Sequence, residues 1–104
     1  MAVLIKTNGD VQRVTPKNGM EFTLEELQGF VGEYIEAVYA IQPGRFAHLG
    51  GDDDIQPGDV MFVNEDGKRK RLPFNETATK LYLHRQYDVI VGDVIICRPG
   101  KEVS

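Results

Sequence analysis

Between positions 68 and 85 the sequence gathers the side chains best suited to recognition chemistry. Lys68-Arg69-Lys70-Arg71 is its basic run, and Asn75, Thr77, Thr79, Lys80 and Arg85 follow at short intervals. Guanidinium, amide and hydroxyl donors near the start of a helix are the groups with which proteins hold phosphate, because free helix amides add to them. Arg71, Asn75, Thr77, Thr79, Lys80 and Arg85 therefore form a candidate site for an anionic, nucleotide-like small molecule, with Tyr34 available to stack on a base. A plainer account exists for each of them. A basic run protects an exposed sheet edge, Pro73 stops a strand, Asn75 caps a helix, and threonines decorate its surface. No glycine-rich phosphate loop of recognised spacing is present.

Other chemistries find less support. His48 with Asp52, Asp53 and Asp54 supplies imidazole and carboxylates, yet lacks the alternating ligand positions of a calcium loop, so no metal and no cofactor is expected. His84 has no partner pattern either. Cys97 lies in an apolar run and reads as a buried structural thiol, and no nucleophile, base and orienting group share a recognisable spacing. A non-enzymatic protein is the expectation. Gly29-Phe30-Val31-Gly32 has the letters of an RNA-clamping loop, but its middle residues are apolar and belong to a helix face.

The elements that must position these residues can be read from turn chemistry and periodicity. Val3 to Lys6 and Val11 to Thr15 flank Asn8-Gly9, a hairpin signal. Thr23 and Glu26 form a capping box opening a helix to about Val31, with Leu24, Leu27, Phe30 and Val31 on one face and Gly32 closing it in a left-handed conformation. Tyr34 to Ile41 is a strand, and Gln42 to Gly58 is a long loop rich in turn formers. Asp59 to Asn64 and Lys68 to Leu72 read as a second hairpin about Glu65-Asp66-Gly67, which sends Lys68 and Lys70 to one face and Arg69 and Arg71 to the other. Asn75 caps a short second helix reaching Leu81. Val89 to Val91 and Val94 to Cys97 are short strands. Gly58-Asp59-Val60 echoes Gly92-Asp93-Val94 at a spacing of 34 positions, read first as two turns that each lead into a buried strand and otherwise as the trace of a duplication. The sum is an α+β fold, a mostly antiparallel sheet or open barrel of about six strands with two short helices.

A length of 104 residues suits one domain, 1–104, and a composition 41% hydrophobic and 27% charged is globular. The net charge of −4 argues against long nucleic acids and anionic membranes as partners. One cysteine and no secretory or membrane-spanning stretch fit the cytoplasm. So small a chain has little room to enclose a ligand, so a homo-oligomer, most simply a symmetric dimer, is expected to complete any site.

Phe30-Val31-Gly32-Glu33-Tyr34-Ile35-Glu36, Asp59 to Lys68, Leu72-Pro73-Phe74-Asn75-Glu76-Thr77-Ala78-Thr79 and Ile90-Val91-Gly92-Asp93-Val94 resemble, in order, the patterns of the domain family DUF3846. Glu33 stands where that family's pattern has a second glycine. The resemblance implies a small protein of a bacteriophage, plasmid or actinobacterium, acting in the host cytoplasm if phage-encoded. Two roles follow from that setting. One is sequestration of a nucleotide immune signal, with Arg71, Asn75 and Thr79 in the pocket; the other is binding of a host protein through an acidic surface at 52–54.

Overall fold

The computed structural model describes residues 2–19, 21–40, 58–82 and 86–97. Five strands, β1 Ala2–Ile5, β2 Val11–Val14, β3 Ile35–Tyr39, β4 Val60–Asn64 and β5 Val94–Cys97, form one sheet in the order β2-β1-β5-β4-β3. Every pairing is antiparallel. The β1–β2 hairpin turns at the expected Asn8-Gly9, where the Asn8 side chain accepts from the Asp10 amide at 2.9 Å and Gly9 has φ 97°.

Two helices cover opposite faces of the sheet. α1, Leu24–Val31, opens on the expected capping box: the Glu26 amide donates to the Thr23 hydroxyl at 3.2 Å, and the Thr23 amide donates to the Glu26 carboxylate at 3.2 Å. Its Leu27 and Val31 pack with Phe22, Ala2, Ile95 and Cys97, while Phe22 and Phe30 meet edge to face at 6.1 Å. Complete burial of Leu27 stabilises by roughly 1.5–3 kcal/mol. Leu24, expected on the same face, is exposed at the first helical position. α2, Glu76–Leu81, sets Ala78 and Leu81 against Val3, Ile5, Met61, Val63, Val94 and Ile96 on the other face. Strand alternation distributes the two sets, since successive residues of β5 serve opposite cores: Val94 and Ile96 meet α2, Ile95 and Cys97 meet α1.

The expected strand count and closure need correction. Lys68 to Leu72 forms no strand; residues 65–71 are turns, and β4 pairs with β3 and β5 instead. Val89 to Val91 contributes a single bridge, Val91 to Phe74. Among the described residues five strands result, and the sheet stays open, because β2 and β3 lie at opposite ends of its order. The two Gly-Asp turns do lead into strands as read: Gly58 and Gly92 both have positive φ, and β4 and β5 follow directly. The 42–58 loop falls, apart from Gly58, outside the described residues.

Candidate functional site

The chain leaving β4 makes one helical turn and stops. The Lys70 amide donates to the Asp66 carbonyl at 2.9 Å, Arg71 to Lys68 at 3.1 Å, and Leu72 to Gly67 at 2.9 Å. Together with φ 56° at Arg71, this is a Schellman closure, with a cationic residue in the left-handed position usually given to glycine. The basic run therefore disperses around a turn rather than alternating across a strand. Lys68 pairs with Asp88, and Arg69 pairs with Asp66 at 2.9 Å. Lys70 and Arg71 are exposed and form no ion pair among the described residues.

Asn75 is only 1% exposed. Its Nδ2 donates to the carbonyls of Ile5 at 3.1 Å and Gly92 at 2.9 Å, and its Oδ1 accepts the Ala78 amide at 3.0 Å. One side chain thus caps α2 and ties it to the end of β1 and to the turn before β5. A ligand reaching Asn75 has to displace one of these carbonyls. Thr79 is similarly engaged: its hydroxyl donates to the Asn75 carbonyl at 2.8 Å and accepts the Ile90 amide at 2.9 Å. Thr77 is half-buried, and Lys80 reaches Glu76 across one turn of α2 at 3.6 Å, with both side chains largely exposed. Tyr34 is 54% exposed at the entry to β3. Arg85 lies outside the described residues, as do His48, Asp52, Asp53, Asp54 and His84.

A cleft of about 390 Å³ opens beside the Schellman turn, lined by Thr7, Phe30, Asn64, Lys70, Leu72 and Asp93 with their neighbours Val31, Pro73 and Gly92. Its size falls within the range of small-molecule sites, roughly 300–1,000 Å³. Asn64 fixes one wall by donating to the Val31 carbonyl at 3.1 Å, which ends α1, and by accepting the Asp66 amide at 2.8 Å, which starts the turn. Gly32 has φ 132° and ψ 170°, an extended mirror conformation in place of the expected left-handed one, and it leaves room for the Asn64 amide where a Cβ would stand. Asp93 fixes the other wall by accepting the Thr7 amide at 3.0 Å.

None of the candidate residues Tyr34, Arg71, Asn75, Thr77, Thr79 and Lys80 lines this cleft, although Lys70 and Leu72 on either side of Arg71 do. The sequence reading places Lys70 in a basic strand, Asn64 at a strand end and Asp93 in a turn. The partners of Asn64 and Asp93 lie 33 and 86 positions away, so no local spacing could bring them together. Among the described residues no three His, Cys, Asp or Glu side chains gather as a metal would require, and no helix is long and apolar enough to cross a membrane.

Over residues 1–104 the chain matches the family described as a domain of unknown function, DUF3846, and it belongs to that family. Searches of curated proteins and of solved structures find no match.

Proposed function

We propose that the protein is a non-enzymatic binding module for an anionic, nucleotide-like small molecule, which it sequesters in the cytoplasm, and that the cleft beside residues 70–73 is its site. The observation that supports this reading is the juxtaposition in the lining of one cleft of Lys70, which forms no ion pair among the described residues, with Phe30, Thr7 and Asn64. An ammonium holds phosphate, an aromatic ring takes a base, and neighbouring amides and hydroxyls orient what lies between. Arg71 supports the reading from the rim. It holds a backbone conformation for which glycine is the low-strain choice, and such strain tends to persist where the side chain is wanted. In this reading Asn75 and Thr79 shape the site through the 90–92 segment.

Calorimetry and thermal shift with cyclic dinucleotides and ADP-ribose derivatives test the proposal, since a ligand that binds the native state raises its melting temperature. Lys70→Met and Arg71→Ala should each weaken binding by roughly 1.5–3 kcal/mol, the range for a charge-assisted hydrogen bond. Absence of any shift across the panel, with stoichiometric capture of one host protein, selects the rival reading of a protein-interaction module. That rival draws on the open edges of the sheet, since β2 and β3 each pair on one side only among the described residues. A homo-oligomer formed along such an edge is part of the proposal, and light scattering that returned 11.7 kDa at every concentration would remove it.

A further inference from the structure

The cleft holds a carboxylate as well as a cation, and this combination restricts what can occupy it. Asp93 follows Gly92, whose φ of 79° turns the chain into β5. Its Oδ1 is fixed by the Thr7 amide at 3.0 Å, so the carboxylate cannot swing freely out of the wall. Among the described residues its Oδ2 accepts no hydrogen bond and neither oxygen pairs with Lys70. The cleft thus presents an ammonium donor and a fixed, acceptor-only carboxylate oxygen that do not neutralise each other. Free phosphate gains from Lys70 and is repelled by Asp93. A ligand carrying both an anionic group and hydroxyl or amino donors satisfies both, because an ionised carboxylate accepts from several N–H or O–H groups.

Resting on the reading of this cleft as a small-molecule site, we propose that Asp93 is its specificity-determining residue. Its free oxygen accepts from the sugar hydroxyls or base amino group of a nucleoside, while Lys70 holds the phosphate and Phe30 packs on the base. The cleft then selects nucleosides bearing few phosphate charges over inorganic phosphate, since its two charged lining side chains sum to zero.

The test is calorimetric titration of the full chain with inorganic phosphate, ribose 5-phosphate, the four common nucleoside 5′-monophosphates and the cyclic dinucleotides. At least one nucleotide is expected to bind tenfold or more tightly than inorganic phosphate. Asp93→Asn keeps an oxygen for the Thr7 amide and replaces the charged, accepting Oδ2 by a neutral NH2 donor, so the fold should stay intact. It should weaken the nucleotide at least tenfold while inorganic phosphate binds more tightly than before. Equal affinity of the native chain for inorganic phosphate and nucleotides overturns the proposal without any variant. A nucleotide that binds natively and is held equally well by Asp93→Asn overturns it too, and leaves the cleft as a ligand site. If nothing in the panel binds, both this inference and the functional reading beneath it fall.

Discussion

Asn75 shows how a residue chosen for recognition chemistry can be committed to architecture. A buried primary amide that makes three hydrogen bonds to three separate segments leaves two carbonyls and an amide unpaired when removed. Asn75→Ala is therefore expected to cost about 2–4 kcal/mol in urea unfolding, as a lost helix cap compounded by unsatisfied buried groups. Thr79→Val keeps the shape and loses the hydroxyl, stranding the Ile90 amide, and should cost about 1–3 kcal/mol. Either variant costing under a few tenths would mean that water replaces these bonds and that the side chains are free for other work. Arg71 tests the opposite case. Its side chain forms no hydrogen bond or ion pair among the described residues, and its φ of 56° is strained, so Arg71→Gly should leave stability unchanged or raise it by up to about 1 kcal/mol. A marked loss of stability in that variant would show that the guanidinium holds the turn together, and would weaken its case as a ligand contact.

The elements that the sequence made legible carry their signals within a few residues. The Asn8-Gly9 hairpin, the Thr23/Glu26 capping box and the Asn75 cap all form where local chemistry places them. The failure at Lys68 to Leu72 has an equally physical cause. Glu65-Asp66-Gly67 is good hairpin chemistry, but the backbone of residues 66–72 satisfies itself in a Schellman turn, and the place beside β4 is taken by β5 from far along the chain. The cleft was illegible for the same reason, since its walls come from five separated stretches. Gly32 is where two of those walls meet. Gly32→Ala forces a positive φ on alanine and drives its Cβ into the Asn64 amide, so the α1 closure and the turn should fail together, at about 2–4 kcal/mol in chemical unfolding. Gly29→Ala, in the same helix with open space around it, is the control and should not destabilise. At the other end of α1, the Lys17 and Thr23 backbone amides donate to Glu26 and hold its carboxyl below the usual glutamate range, with the Thr23 hydroxyl and the Lys17 charge adding to this. A depressed folded-state value means stabilisation that is complete above the unfolded value and lost as pH falls through the folded one. Glu26→Gln should accordingly flatten the acid limb of the stability profile below the ordinary glutamate range; an identical limb in both proteins would remove Glu26 as its source.

At the scale of the molecule, the sheet order assigns each strand its share of the stability. β5 pairs with β1 and β4 on its two sides, all four of its residues are buried, and its side chains feed both cores. Among the described residues β2 is an edge strand with one neighbour, and its Gln12 and Arg13 are exposed. A strand enclosed on every side can expose its amides only when the whole sheet opens, whereas an edge strand can fray while the rest holds. Because Asn75 links α2 to the turn entering β5 and to the end of β1, α2 should loosen with that centre rather than with either edge. Native-state hydrogen exchange reads this order directly. The Ile95 and Ile96 amides are expected to exchange at the free energy of global unfolding, with the same denaturant dependence, and the Ala78 amide, held by Asn75, close behind them. β2 should exchange roughly a hundredfold faster or more, which is about 2.7 kcal/mol of local opening. Since the cleft draws Gly92 and Asp93 from the entry to β5 and Thr7 from the exit of β1, a ligand bound there should slow the central strands along with global unfolding and leave the fraying of β2 where it was. Protection that rose in β2 while the centre stayed unchanged would place the ligand at the sheet edge and not in the cleft.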